Sequence, residues 1–265
     1  MQASELKIPK KPGLRGSVIF SISFAFVLTI VTMITVEFSL IEIIENFTRP
    51  NMVVEGLLSP DLTQIFSERS RSAFLETLQL AILGTVSGGG LSLLMAFWAT
   101  DFGNPIGWLR VIVRNFNNVI RSIPDLLWAL LFVTAVGVGI LPGLLALFFF
   151  SMAVVTKLTS DTLDGIDQGP IEAAKASGSG QLSMLRMAVL PQILPSYASF
   201  LLYGFELNLR ASAVLGLVGA GGIGSRIEFF RGRLEWSEVW GLVLMFFLVV
   251  FFVERLSVTI RRRLV

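Results

Sequence analysis

An all-α fold with about six membrane-spanning helices is the fold class that this sequence predicts, and two observations lead to it. Hydrophobic residues make up 54% of the 265 residues and charged residues 15%, with a mean hydropathy of +0.76. A soluble domain carries about 25% charged residues. Apolar segments of bilayer length also recur along the chain, and the first contains no charge. Because lipid offers backbone groups no hydrogen-bond partner, such segments are expected to cross the membrane as helices.

The first apolar segment, residues 17–36, has two interpretations. Basic residues precede it, as they do in a secretory signal peptide. No small-residue cleavage site follows, however, and the apolar run is long for a signal sequence. We therefore expect a retained span, with residues 1–16 as a cytoplasmic tail and residues 17–265 as one transmembrane domain.

Five further spans follow. The third is interrupted by Pro124, which should kink it or split it, because proline removes a helical hydrogen bond and clashes with the preceding turn. A polar hairpin separates the fourth and fifth spans, and a glycine-rich loop separates the fifth and sixth. A flexible glycine triplet, 88–90, lies in the second. The predicted boundaries are 72–99, 107–137, 142–160, 192–212 and 236–256 for the spans, 168–191 for the hairpin and 213–235 for the loop.

Basic residues near the span ends predict the orientation, since cytoplasmic loops are enriched in Lys and Arg. The tail before residue 17 and the end of the chain are both basic, which places both termini and the hairpin in the cytoplasm. The 213–235 loop disagrees with this topology, because it would bring three arginines to the outer side, offset only in part by two glutamates: Arg226, Arg231, Arg233, Glu228 and Glu235.

The composition also excludes several chemistries. Cys and His are absent, which removes disulfides, thiolate catalysis and histidine metal sites. We expect no metal site and no catalytic residue. The net charge of +2 gives no support to nucleic-acid binding.

The hairpin sequence predicts two short helices. Pro170 suits a first helical position, and Glu172 then lies in the first turn, where it opposes the helix dipole. Gly178 can adopt the left-handed conformation that ends a helix. Ser179 is expected to cap the second helix and Pro191 to close it. An ordinary cytoplasmic loop is the alternative interpretation.

The hairpin also carries a more specific pattern. Glu-Ala-Ala, three residues, Gly, and a later Leu-Pro resemble the EAA loop of ATP-binding-cassette (ABC) importer permeases. Ala188 departs from this pattern, since the family has Ile there. The matching positions are Glu172, Ala173, Ala174, Gly178, Leu190 and Pro191.

The resemblance implies a type I ABC importer permease in a bacterial plasma membrane. Its hairpin would be a coupling helix seated in a groove of a separate ATPase. It further implies a homodimer, two ATPase subunits and an extracytoplasmic binding protein. The chain has no Gly-x-x-x-x-Gly-Lys-Ser/Thr loop of its own. We therefore expect it to bind no cofactor and not to be an enzyme, with ATP and Mg²⁺ held by the partner.

Two further stretches are similar to phosphonate-type importers. They are FELNLRASAVLGLVGAGGIG, residues 205–224, and RSIPDLLWALLFV, residues 121–133. Together with the hairpin they extend the resemblance over most of the chain from about residue 72. The first 70 residues contain no motif that supports it, and their role stays open.

Charged residues within these stretches are candidates for the translocation pathway, because charge near a span must be paired or face water. Glu206 and Arg210 are four residues apart and can pair along one helix face, while Asn208 points elsewhere. On the functional interpretation Asn208, Arg210 or Arg121 donates to a passing oxyanion, with Asp125 nearby. An internal Glu206–Arg210 salt bridge is the structural alternative.

The run VGAGGIG permits three interpretations. It is one residue short of the dinucleotide-binding pattern and lacks a preceding strand, which argues against nucleotide binding. Flexible backbone in an outer gate or re-entrant loop is the interpretation we prefer, and a tight structural turn is the other. The glycines concerned are Gly219, Gly221, Gly222 and Gly224.

The sequence thus predicts the membrane subunit of an importer for phosphonate or a related phosphorus oxyanion. It does not rank phosphonate, phosphite and phosphate esters, or say whether the permease itself selects among them. A methionine- or metal-type importer is the nearest alternative, and an ion-coupled carrier, which needs no ATPase, is a more distant one.

Overall fold

The computed structural model describes residues 16–48 and 51–264, and over these ranges the chain is helical, with no strand. The predicted tail, apart from residue 16, lies outside the described residues. The chain divides into two compact units between residues 51 and 52. The first contains α1 (Gly16–Thr35) and α2 (Leu40–Thr48). The second contains α3 (Met52–Leu58), a 3₁₀ turn (Thr63–Phe66), α4 (Glu68–Trp98), α5 (Gly107–Ser122), α6 (Asp125–Val136), α7 (Ile140–Asp164), α8 (Gly169–Ala176), α9 (Gln181–Met184), α10 (Leu190–Gly216), α11 (Gly222–Gly232) and α12 (Trp236–Leu264).

Helix α1 confirms the first predicted span as a helix of bilayer length. Its 20 residues carry no charge. Its hydroxyl side chains bond back to the carbonyl four residues earlier, as Thr29 does to Ala25 at 2.8 Å. This local pairing satisfies the hydroxyl group within the helix itself.

Four long helices of the second unit, α4, α7, α10 and α12, are apolar and long enough to cross a bilayer. Glycines let α4 and α7 approach closely. A Cβ atom on Gly84 would lie 2.7 Å from the Cβ of Leu147, and one on Gly88 would meet the carbonyl oxygen of Phe148. The predicted flexible triplet is therefore continuous helix, and Gly84 and Gly88 serve helix packing.

The third predicted span was expected to be either kinked or split at Pro124, and the structure shows that it is split there. Helices α5 and α6 meet there at 88°. The 12 residues of α6 extend only about 18 Å, too short to cross a bilayer alone. Counting the bent pair as one span, the described residues contain up to six spans, in agreement with the sequence.

The second half of the hairpin differs from its prediction. Gly180, not Ser179, precedes α9, and no side chain of the described residues caps this helix. Pro191 does not end a helix but lies in the first turn of α10. A π-helical turn, Leu185–Val189, joins α9 to α10. A π-turn shifts the hydrogen-bond register, which makes room for a proline without a break.

The region predicted as a glycine-rich loop, 213–235, is mostly helical. Helix α10 continues to Gly216 and α11 begins at Gly222. The two helices cross at glycines, since a Cβ on Gly216 would lie 2.7 Å from the Cα of Gly224. Only the short turn between them has the loop character that the sequence predicted.

Two buried clusters mark the opposite ends of the α4–α12 bundle. One joins the ends of α4 and α7 to α8 and the start of α10, through Ala96, Leu163, Ile171, Val189 and Ile193. The other joins the starts of α4 and α12 to α11, through Ile65, Ala73, Phe230, Ile223, Val239 and Leu242. The hairpin and the glycine turn therefore lie at opposite ends.

Candidate functional site

The hairpin presents a mixed polar and apolar surface. Ile171 is buried and anchors α8, whereas Glu172 and Ala173 are exposed and Ala174 is half-buried. Leu182 and Met187 stand 77% and 75% exposed on the second arm. Such exposure of large apolar side chains, next to an exposed carboxylate, is typical of a protein contact surface.

The elbow of the hairpin has the conformation that the sequence predicted, whereas the end of the hairpin does not. Gly178 has a φ of +74°, the left-handed conformation predicted for it. Leu190 is half-buried and Pro191 exposed, both in the first turn of α10. These two residues thus belong to the spanning helix and not to a separate hairpin helix.

Side-chain hydrogen bonds fasten the hairpin to the bundle. The Oδ1 atom of Asp167 accepts from the amide of Gly169 at 2.9 Å, at the start of α8. Gln192 accepts from the amide of Asp167 at 3.1 Å and donates to the carbonyl of Ala188 at 2.7 Å. No sequence pattern predicted this role for Gln192, because it depends on α10 lying beside residue 167. A hairpin held at both ends can move with the helices it joins.

Asn208 lies fully buried where α4, α7 and α10 meet. Its Nδ2 group contacts the hydroxyl oxygens of Thr85 at 2.8 Å and Ser151 at 2.6 Å. Its Oδ1 atom has no partner among the described residues. With its donors engaged by two other helices, Asn208 holds the bundle together, a geometry that argues against the predicted pathway role.

Glu206 and Arg210 do not pair with each other, so the structure does not contain the internal salt bridge that was the structural alternative. Glu206 accepts from Arg261 at 2.7 Å, and Arg210 contacts Glu254 at 3.3 Å. Both partners lie on α12, which runs antiparallel to α10 and offers a carboxylate and a guanidinium at matching heights. The Glu206 side chain is 5% exposed, while Arg210 and Glu254 are each half-exposed.

The glycine turn is held by α4. Gly219, Gly221 and Gly222 all have positive φ, and the amide of Gly222 donates to Oε1 of Glu76 at 3.0 Å. The amide of Ile223 donates to Thr77 at 2.7 Å. The start of α11 is therefore capped by side chains of α4, which engage the amides that a dinucleotide phosphate would need. Gly224 serves the helix crossing described above.

Each of the three arginines in the 213–235 region that disagreed with the predicted topology contacts a carboxylate or an aromatic ring nearby in sequence. Arg231 bonds Glu228 and Arg233 bonds Glu235, at 2.6 and 2.9 Å. Arg226 lies 4.8 Å from the ring centre of Phe230. Burial, together with the nearby positive charge of Arg69, lowers the pKa of Arg226 below its usual value. Local pairing reduces the net positive charge at this end of the bundle.

Arg121 and Asp125 share a cavity of 190 Å³ at the α5–α6 break. Arg121 is exposed and forms no ion pair or side-chain hydrogen bond with any described residue. Asp125 accepts from the amide of Leu126 at 3.0 Å. The structure thus brings together these two predicted residues, separate from the α10–α12 ion pairs.

Residues 88–265 match the family described as binding-protein-dependent transport system inner membrane component. The phosphate-import permease protein PhnE of Mycolicibacterium smegmatis is 34% identical over 88% of this chain and 44% of its own length. The chain therefore spans less than half of that relative. The phosphite transport system permease protein PtxC of Stutzerimonas stutzeri is 37% identical over 71% of this chain and 68% of its own.

Solved transporters share the fold. An amino acid ABC transporter aligns with a TM-score of 0.64 and 21% identity over 77% of this chain and 98% of the other. The MetNI methionine ABC transporter, in an inward-facing form, aligns with a TM-score of 0.64 and 22% identity over 76% and 100%. At these identities the likeness shows the fold, which confirms the predicted type I importer permease architecture.

Proposed function

The chain belongs to the family of binding-protein-dependent transport inner-membrane components, and from this premise we propose that it is the permease subunit of an ABC importer for phosphorus oxyanions. Membership makes it a membrane-located transport subunit. The observation that carries the proposal is the hairpin at one end of the bundle, with Glu172, Leu182 and Met187 exposed.

The proposed partner at the hairpin is a separate ATPase that binds ATP and Mg²⁺. Ile171 and Gln192 tie the hairpin to the bundle, so a push on α8 is passed to α7 and α10. The exposed leucine and methionine suit an apolar groove, and Glu172 suits a basic rim. Two ATPase subunits would dock on two copies of the chain, with this end in the cytoplasm.

A second copy would complete the pathway. The Arg210–Glu254 pair is half-exposed on the bundle surface, although both helices are predicted to span the membrane. Charged groups facing lipid are costly, so this face requires water or another subunit. A homodimer with a water-filled path between the copies meets that requirement. An extracytoplasmic binding protein would deliver substrate at the glycine-turn end.

The substrate class rests on two supports. The relatives reported above are described as permeases for phosphate or phosphite, both phosphorus oxyanions. The chain itself places an uncompensated arginine, Arg121, in a cavity between helices, and a guanidinium fork suits oxyanions. The methionine alternative has a weaker basis, since the methionine transporter shares only the fold.

A reconstitution experiment tests the proposal. The chain is co-expressed with the ATPase and binding protein encoded beside it, and uptake of phosphite, methylphosphonate, phosphate and methionine is measured in vesicles with and without ATP. Co-purification of the ATPase and ATP-dependent uptake of a phosphorus oxyanion support the proposal. Uptake that persists without the ATPase would instead indicate an ion-coupled carrier.

A charge reversal provides the matched comparison. Glu172→Arg should abolish co-purification of the ATPase. Glu68→Arg changes an exposed first-turn glutamate of α4 in the same way, but at the opposite end of the bundle, and should leave the complex intact. If both variants bind the ATPase equally well, the hairpin is not the docking surface.

A further inference from the structure

One side of α5 carries a row of hydrogen-bond donors. Arg110, Arg114, Asn118 and Arg121 follow one another at intervals of three or four residues, which places them along the same side of a helix. The row runs from the hairpin end, where Arg114 contacts the end of α7, to the α5–α6 break. A polar row on a half-span must face water or protein.

Carboxylates neutralise the cations at the hairpin end of this row. Arg110 pairs with Asp101 at 2.5 Å, and Arg114 pairs with Asp164 at 2.9 Å. The neighbouring lysine of α7, Lys157, pairs with Asp161 at 2.6 Å. Among the described residues that flank α5, Arg121 is the cation left without a carboxylate partner.

Arg121 is also the donor of this row that lies farthest along α5 from the hairpin end, in the last turn of the helix. Its cavity is bounded by Phe150, Ala153 and Val154, close to the middle of α7 (Ile140–Asp164). The 190 Å³ volume compares with about 30 Å³ for a water molecule in the liquid, so it has room for a small oxyanion and a few waters. Broken helices at mid-depth are tolerated where they line such a cavity.

We infer that Arg121 forms an oxyanion-binding site inside the membrane domain. This site holds a phosphorus oxyanion after the binding protein delivers it and before it is released into the cytoplasm. This deepens the proposed function and rests on it. The guanidinium donates to the phosphorus-bound oxygens, and Asn118, one turn nearer the hairpin end, is the next donor. Asp125 lines the same cavity, where its carboxylate repels an anion and keeps binding weak enough for the substrate to leave.

The absence of cysteine permits a direct test of the charge at this position. In Arg121→Cys the new thiol is the only one in the chain. Aminoethyl methanethiosulfonate attaches a positive group to it, sulfonatoethyl methanethiosulfonate a negative group, and methyl methanethiosulfonate a neutral one. Uptake of phosphite and methylphosphonate is measured in vesicles holding the full complex, before and after each reagent. The control is Val119→Cys, on the exposed apolar side of the same helix.

Arg121→Cys should lower uptake about tenfold or more, the effect of losing one hydrogen-bonded charge, while the ATPase still co-purifies. The positive reagent should restore part of the uptake, and the neutral and negative reagents should not. Arg121→Lys should keep more activity than Arg121→Cys. Uptake by Val119→Cys should stay unchanged under all three reagents.

Two results would overturn the inference. One is normal uptake by Arg121→Cys. The other is equal loss in the Cys, Lys and all reagent-treated forms, which would mean that the side chain serves structure and not charge. Absence of ATP-dependent uptake by the wild-type complex would refute the proposed function, and the inference would fall with it.

Discussion

The elbow of the hairpin allows a substitution whose effect is confined to the backbone. Gly178 has a φ of +74°, and a Cβ atom built on it meets no atom within 4 Å. The β-carbon of Gly178→Val therefore introduces no clash. Its main cost comes from a β-branched residue forced into the left-handed region, or from the elbow moving out of it.

The expected magnitude is about 1–2 kcal/mol, the cost of the left-handed conformation for a residue with a Cβ atom. Reduced freedom of the unfolded chain returns about 0.4–1 kcal/mol of that in overall stability. Against a total stability of about 5–15 kcal/mol the domain should still fold. The same 1–2 kcal/mol is enough to shift a local equilibrium about 5- to 30-fold, so the elbow should leave its conformation in a large share of molecules.

The assay is the ratio of substrate imported to ATP hydrolysed in reconstituted vesicles. Gly178→Val should insert normally and hydrolyse ATP, with the ratio reduced several-fold because α8 is no longer held at its angle. Gly178→Asn is the control, since asparagine enters the left-handed region more readily, and it should retain most coupling. A wild-type ratio in Gly178→Val, or an equal loss in both variants, would refute this reasoning.

Three other substitutions test separate parts of the structure. Asn208→Ala leaves the buried hydroxyl groups of two other helices without their amide partner. It should lower the free energy of unfolding by about 1–3 kcal/mol, measured as a lower melting temperature in detergent. An unchanged melting temperature would contradict the buried network. Gly224→Ala would drive a Cβ into the carbonyl oxygen of Ala213 and should prevent stable expression. The control Gly90→Ala, whose Cβ meets no atom within 4 Å, should be tolerated. Similar expression yields of the two variants would contradict the close crossing of α10 and α11. Leu182→Glu, at a side chain 77% exposed, should preserve the melting temperature but abolish ATPase co-purification; retained binding would place the docking surface elsewhere.

Helix α5 shows how far sequence patterns reach. Proline chemistry alone predicted a break at Pro124, and the break is there, because the missing N–H and the ring clash act locally. Its angle of 88° and the cavity beside it depend on how α7 packs against both halves. The prediction for Pro191 was wrong because a π-turn, which no local pattern announced, absorbed the proline.

The candidate pathway residues show what sequence spacing alone does not predict, namely the partners of charged side chains. Glu206 and Arg210 have ideal spacing for a pair on an isolated helix, yet each bonds to α12, whose partners are separated from them in sequence by 55 and 44 residues. Glu76, which caps the glycine turn, carried no recognisable signal, because its role exists only once α4 and α11 meet.

By itself the sequence determined the helical class, the number and approximate ends of the spans, the hairpin and its left-handed elbow. All of these follow from local quantities: the length of apolar runs, the absence of charge, and the backbone freedom of glycine and proline. Only the tertiary structure decided which charges pair, which glycines pack and which arginine is left uncompensated. Those outcomes depend on distances between helices remote in sequence, and such distances are set by packing the whole bundle at once.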